Sequence, residues 1–423
     1  TTDMSFSAHW SSKFGLASPY RQIAPESWFC SEKECIPTDE RVWDHIFESD
    51  QAWRLQTIKV DHMLNTLVGS AADNGDGTCP GPRGWPYPGR ECQPGERTAL
   101  IRNHSEAIVP CLTSPSVAAT FLTAIARSAA RHHVSIEWCM SYPNVLMQSV
   151  ATGDASTHAR GSDDSHPVGA GTSNWDGTVG FSSNNWHGFA GESTWIWAIG
   201  LWPFKDTFYS NSSHSVTPQN QYAEDFCGHE PRPFTHALVA ALSGGGVVNG
   251  DPVGSTDAEL LMLTCRKRGM LLKPSVPAMY IDRTWLRDQT VGETAVGISS
   301  IPGSKLSWRM IYSINSAGFT LTPADVGVNE PALVYTYCGP RPLTRPGCIR
   351  PAVRDLHLFS GDGATPLSVP PAGRDLEAKY YLVAPTMSVA VNSRDGANVS
   401  WALLGEWPKL VPVSPQRFSA ISI

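Results

Sequence analysis

The sequence predicts an α/β fold, with βα units around a parallel sheet, followed by an all-β appendage. Over the first ~270 residues, short apolar runs alternate with segments of helical periodicity, the mark of parallel βα repeats. Beyond that point the texture changes. Short alternating segments at 305–314, 332–337, 379–384 and 387–391 are separated by Gly, Pro and Asn turns, the pattern of an antiparallel sandwich. With 423 residues, 41% apolar composition and 15 Trp, the chain can bury a large core and hold two domains, expected at 1–270 and 271–423.

The elements are expected in this order. Residues 4–10 read as a strand, and 39–53 as a helix with an acidic first turn. Residues 55–61 (LQTIKVD) form a buried strand whose functional groups sit at its C-terminal end. The Gly- and Pro-rich stretch 70–110 is a long insertion, placed as a surface or substrate-side loop. Ser114 as N-cap and Pro115 at the first helical position open a helix, with Val117, Phe121, Ile125 and Ala129 on one stripe. Strands follow at 134–140 and 155–160, the latter ending at Gly161-Ser-Asp-Asp164. Residues 195–202 are apolar on both faces and read as a barrel strand. Residues 236–242 lead into a Gly-rich run at 243–250, and the capping box Thr256-x-x-Glu259 starts a helix that stops near Gly269.

Composition excludes several classes. A net charge of −7 provides no overall basic field for nucleic acid. No apolar run approaches the ~18 residues of a membrane span. Three of the ten cysteines' neighbour pairs, Cys30/Cys35, Cys79/Cys92 and Cys338/Cys348, bracket polar loops suited to disulfides, whereas Cys139 and Cys265 sit in apolar segments as buried thiols. Sequons at Asn103, Asn211 and Asn398 agree with a secreted glycoprotein.

Nucleophile and metal motifs fall short. There is no G-x-S-x-G elbow, and His229-Glu230 lacks a second His at helical spacing. His132-His133 closes a helix, where a cation suits the dipole, and Asp73-Asn-Gly-Asp76 has the wrong spacing for calcium. Carboxylates at strand ends are the stronger signal: Asp61, Asp163-Asp164, Asp206 and Asp251. In a βα barrel such ends share one mouth, and two opposed carboxylates there suit glycoside cleavage. The competing reading makes each Asp a helix N-cap.

At these residues the chain resembles the clan of α-galactosidase-type barrels, and within it glycoside hydrolase family 36. The likeness is to the plant raffinose-synthase and alkaline α-galactosidase branch. Lys59-Val-Asp61 resembles the clan's K-x-D motif, with a nucleophilic Asp and a substrate-touching Lys. Arg160-Gly-Ser-Asp163-Asp164 resembles R-A-S-D-D, which carries the acid/base; the resemblance assigns that role to Asp163, with Asp164 as its neighbour. Ile136-Glu-Trp138-Cys139-Met-Ser141 is similar to a strand with a C-M-S core, and Trp202-Pro-Phe-Lys-Asp206-Thr-Phe to P-D-W-D-M-F. Residues 243–251 resemble S-G-G-P-V-Y-V-S-D. The likeness spans about residues 55–300. Departures are Gly250 in place of Ser, Phe-Lys in place of Asp-Trp before Asp206, and the 70–110 insertion.

The resemblance implies a (β/α)8 TIM-type barrel followed by a C-terminal antiparallel β-sandwich, and a retaining α-glycosidase acting on an extracellular oligo- or polysaccharide without cofactor or metal. Asp61 attacks and Asp163 serves as acid, then base, with carboxyls about 5–5.5 Å apart. Lys59, Arg160, Asp164, Asp206, Asp251 and Cys139 are expected to bind substrate, and Trp138, Trp186 and Trp202 to stack on sugar rings or pack in the core. Two alternatives remain: a non-catalytic structural or carbohydrate-binding glycoprotein, and a galactosyl transglycosylase. If Asp61 ends the family's fourth strand, residues 4–10 form the third. The barrel is then incomplete at its N-terminal end, and a second chain or segment is expected to supply the missing strands.

Overall fold

The computed structural model describes residues 6–11, 19–30, 35–51, 55–61, 78–80, 86–91, 115–139, 143–150, 153, 155–162, 189–211, 232–286, 288, 290–337, 353–372, 378–390 and 398–420. It divides into two units, Thr1–Arg160 with Ile199–Leu201, and Gly161–Ala198 with Trp202–Ile423.

The first unit begins with β1 (Phe6–Ser11), the hairpin β2 (Trp28–Cys30) and β3 (Cys35–Pro37), helix α1 (Glu40–Gln51) and β4 (Leu55–Asp61). A small hairpin, β5 (Thr78–Pro80) and β6 (Pro86–Glu91), lies inside the predicted insertion. Then come α2 (Pro115–Arg131), β7 (Ser135–Trp138), α3 (Pro143–Val150) and β8 (Ser156–Arg160). Four strands pair in parallel in the order β1-β4-β7-β8, as the alternating pattern predicts.

Period two sorts the strand residues by face. Ile58, Val60, Ile136, Trp138 and Ala159 are buried, and α1, α2 and α3 pack against β4, β7 and β8. Helical periodicity supplies the facing stripes. Val42, Trp43, Ile46 and Phe47 of α1 are buried, as are Phe121, Leu122, Ile125 and Ala129 of α2. Trp43 lies 6.0 Å from Phe121, edge to face.

The outer margin of this helix pair is polar. Ser128 Oγ donates to Asp44 Oδ1 (2.6 Å), Arg131 forks onto both Asp44 oxygens (2.8 and 2.9 Å), and His132 Nε2 lies 3.2 Å from Oδ1. Burial pushes the Asp44 carboxyl up, but the Ser128, Arg131 and His132 contacts outweigh it and hold the group below its ordinary value. A depressed carboxyl contributes stability above its unfolded pKa, and that contribution is lost as pH falls through the folded value. Asp44→Asn is therefore expected to lower stability by roughly 1–2 kcal/mol at neutral pH. In denaturant titrations the gap to wild type should close below about pH 4; a gap independent of pH would reject this account.

The second unit opens with α4 (Phe189–Ala198), β9 (Trp202–Phe204), α5 (Pro233–Ser243) and α6 (Ala258–Leu261). Here the sequence reading needs two corrections. The first half of the apolar run 195–202 is the end of a helix: Phe189, Ser193 and Ile196 are its buried stripe at helical spacing, and Gly200 (φ +91) follows before a short strand. An all-apolar run satisfies both periodicities and so could not decide between them. Second, α6 is capped by Asp257, whose side chain accepts from Leu260 N–H, rather than by Thr256, and it lasts four residues instead of reaching Gly269.

The all-β part comprises β10 (Val276–Tyr280), the short helix α7 (Asp282–Trp285), β11 (Glu293–Ser300), β12 (Ser307–Ile314), β13 (Phe319–Leu321), β14 (Ala332–Tyr337), β15 (Val353–Ser360), β16 (Leu367–Val369), β17 (Lys379–Ala390) and β18 (Asn398–Ala402). Seven strands form an antiparallel sheet in the order β10-β11-β12-β17-β14-β15, with β18 on β17. The segments expected at 379–384 and 387–391 join in the single strand β17. One sheet face, with Ile311, Val334, Tyr381 and Val383, packs with the two-stranded β13–β16 ladder. The second layer is thus much smaller than in an even sandwich.

The opposite face presents Tyr312, Tyr335, Tyr337 and Tyr380 to α5. That helix is buried all round, as an apolar segment without a polar side must be. A strap at residues 403–411 covers the same core. Trp308 Nε1 donates to Leu403 O (2.8 Å), Tyr337 OH to Pro408 O (2.6 Å) and Tyr380 OH to Leu410 O. Burial pushes the Tyr380 hydroxyl well above the usual tyrosine value, so it remains a donor.

Candidate functional site

In the first unit, register aligns a polar row. His9 pairs with Lys59, Lys59 with Glu137, and Glu137 with His158. Lys59 and Glu137 are half-buried between fully buried neighbours, and His158, half-buried beside buried Ala159, is in register with Glu137, so the three occupy the face opposite the helices. Thr57 and Ser135, two residues earlier on that face, share a hydroxyl hydrogen bond of 2.8 Å. One step toward the C-terminal edge the row continues as Ser11, Asp61, Cys139 and Arg160. Ser11 pairs with Asp61, and Cys139 N–H donates to Val60 O (2.9 Å).

Three neighbouring parallel strands therefore bring Lys59, Asp61, Cys139 and Arg160 together at one sheet edge. The Asp61 side chain lies outside the described residues. Cys139 is a fully buried thiol, as its apolar setting predicts. Glu137 and His158 belong to the same face but are absent from the expected site residues. Stepping back by two from Cys139 and Arg160 would have found them.

Trp138 takes the core-packing alternative. It alternates onto the helix face with Val60 and is fully buried. Its indole N–H donates to Ser156 Oγ (3.1 Å), which donates in turn to Ser149 O on α3 (3.4 Å). Asp163, Asp164 and Trp186 lie outside the described residues, as do Asn103, Asp73 and Asp76, Cys92, Cys338 and Cys348. Cys30 and Cys35 close the β2–β3 hairpin as register partners. The Asn211 amide donates to Ser255 O (3.1 Å).

In the second unit, Gly161 N–H donates to Phe204 O (3.1 Å) and Asp206 N–H to Ser162 Oγ (2.8 Å). Asp206 is 8% exposed. Beside it Lys205 is fully buried, donating to Asp206 O (3.1 Å) with its ammonium 5.3 Å from the Phe208 ring, which stacks on buried His236. Lys205 is not among the expected site residues. A buried ammonium is costly unless well partnered, so its burial is the informative feature.

Asp251 accepts from Ser210 N–H (2.7 Å), Ser210 Oγ (2.5 Å) and Asn249 Nδ2 (2.9 Å), while Asp257 N–H donates to Ser210 Oγ (2.8 Å). Its carboxylate thus ties residue 210 to the 249–257 loop. Trp202 is half-buried, 4.6 Å from Trp197.

The Gly-rich run is not a continuous strand; only Asn249 bridges, pairing in parallel with Phe208. Its glycines instead allow close approach. Gly244 (φ +75) ends α5 beneath the Trp202 indole, and a Cβ on Gly245 would stand 2.5 Å from Pro203 O. Because a backbone oxygen cannot move aside cheaply, Gly245→Ala should destabilise by ~1–3 kcal/mol. An unchanged thermal midpoint would show that the run tolerates a side chain there.

No family model matches the sequence, and no curated protein is similar to it at the sequence level. The fold is similar to that of a GH27 β-L-arabinopyranosidase from Geobacillus stearothermophilus, with TM-score 0.51, 12% identity and coverage of 92% of this chain and 75% of that chain. A variant of that enzyme in complex with arabinose gives 0.50 and 10%, covering 90% and 75%. At such identities the likeness is one of fold.

Proposed function

We propose that this chain is a glycoside hydrolase, and more narrowly a retaining, α-galactosidase-like enzyme acting on an extracellular oligo- or polysaccharide. Asp61 is the nucleophile and Asp163 the acid, then base. The carrying observation is the register that sets Lys59 and Asp61, with Arg160, at the C-terminal edge of parallel strands, the edge where βα-barrel enzymes place their chemistry. The similarity of fold to a GH27 glycosidase supports the class. Secretion, N-glycosylation and a Cys30–Cys35 disulfide belong to the same reading.

Attack of the Asp61 carboxylate on the anomeric carbon breaks the glycosidic bond while Asp163 gives its proton to the leaving oxygen. Water, deprotonated by Asp163, then cleaves the ester. Transfer to a sugar alcohol in place of water yields transglycosylation from the same intermediate. Rapid-quench kinetics with an activated aryl α-galactoside should show a burst, and digestion should place the added sugar mass on the peptide containing Asp61. Release of product without a burst or adduct, at chemistry-limited turnover, would favour an inverting route.

A second reading, a non-catalytic glycan-binding protein, is favoured by the commitment of Asp251 to Ser210 and Asn249 and by the burial of Trp138 and Asp206. A glycan array run beside hydrolysis assays separates the two: binding without cleavage selects the second.

A further inference from the structure

In a chain of net charge −7, Arg266, Lys267 and Arg268 stand consecutively at the tip of a tight hairpin. The Cys265–Leu271 bridge closes it, together with Arg266 N–H to Met270 O and Gly269 N–H to Arg266 O, both 2.8 Å. Gly269 at φ +83 permits the reversal. Lys267 and Arg268 are exposed, and among the described residues no hydrogen bond or ion pair engages either side chain.

The base of the hairpin is fixed. Arg266 Nη1 donates to Gln416 O (3.2 Å), and Lys409 Nζ to Met262 O (2.5 Å) and Cys265 O (2.8 Å). Residues 257–273 and 404–420 together carry six cations (Arg266, Lys267, Arg268, Lys273, Lys409 and Arg417) against three carboxylates. Of those, Asp257 caps α6 and Glu406 pairs with Arg417 (2.6 Å). Trp407, 38% exposed, lies two residues before Lys409.

Adjacent like charges on a rigid tip repel one another, and among the described residues no carboxylate pairs with Lys267 or Arg268. An external polyanion would. Guanidinium groups take sulfate or carboxylate oxygens in a two-pronged fashion, and an ammonium adds a point charge between them. We propose that the 265–271 hairpin binds an anionic polysaccharide bearing sulfate or uronate groups and holds polymeric substrate on the second unit. The choice of a polysaccharide over a polynucleotide rests on the glycosidase reading.

The test is calorimetric titration of the whole chain with heparin, with a neutral galactan and with a single-stranded polynucleotide, at low and moderate salt. Lys267→Glu with Arg268→Glu removes only unengaged side chains and leaves Arg266 on Gln416. Heparin should bind, more weakly as salt rises. The double variant should bind about tenfold or more weakly, since two attractive exposed charges become repulsive. Its cleavage of a small aryl glycoside should equal wild type, and the galactan should not bind. Absence of heparin binding, equal binding by the double variant, or polynucleotide binding as tight as heparin overturns the proposal. Because binding is read without turnover, heparin binding in a chain that hydrolyses nothing rejects the glycosidase reading and leaves this site standing.

Discussion

Asp61→Asn is expected to lower turnover of an activated α-galactoside on the order of 10^3-fold or more, equivalent to about 4 kcal/mol of barrier. The amide is isosteric with the carboxylate but cannot form the glycosyl ester, so the first chemical step loses its nucleophile. The position makes the substitution informative. Asp61 is the last residue of β4, at the level of Ser11 and one step beyond Lys59, where backbone pairing already holds the main chain. The thermal midpoint should therefore change little. Wild-type turnover in Asp61→Asn would refute the nucleophile assignment outright. A loss of activity accompanied by unfolding would instead be separated by Asp61→Glu, which keeps a carboxylate but displaces it.

Trp138→Ala should have the opposite profile, a loss of ~3–5 kcal/mol in stability. The indole is fully buried against the helix layer, and its N–H is matched to Ser156 Oγ. Truncation would leave a void between β7 and α3 and deprive the Ser156 hydroxyl of its donor. Trp138→Phe keeps much of the volume and should cost less. Were Trp138 a sugar-stacking platform, Trp138→Phe would raise KM at unchanged stability. Chemical denaturation alongside Michaelis kinetics distinguishes these outcomes.

The two predictions also show what was legible in the sequence. The strand ending at Asp61 was readable because LQTIKVD is short, apolar and bounded by polar segments; the structure returns Leu55–Asp61. The helix from Pro115 was readable from its cap and stripe. Trp138 was ambiguous because a Trp in a strand next to candidate site residues serves either face, and parity from Lys59 across a neighbouring strand decides it only once register is known. Asp251 was ambiguous for a related reason. A carboxylate after a strand suits ligand and loop alike, and its donors, Ser210 and Asn249, include one 41 residues away in sequence. The run at 195–202 failed for want of polar residues, which alone report which side of an element faces water. The Gly-rich run stands out in the sequence, but the reason for its glycines does not. Its glycines answer to Trp202 and Pro203, a tertiary fact invisible to local pattern.

The strap over the tyrosine face has a consequence for synthesis. Trp308 and its acceptor Leu403 are 95 residues apart. While the ribosome is still making that interval, only α5, made earlier, can cover Tyr312, Tyr335 and Tyr337, and the part of the face that the strap closes stays open. Such long-range closure slows folding and lengthens exposure to aggregation. The second unit therefore matures only after residue 411 has left the exit tunnel, and chaperone demand during expression should be set by this late-closing face.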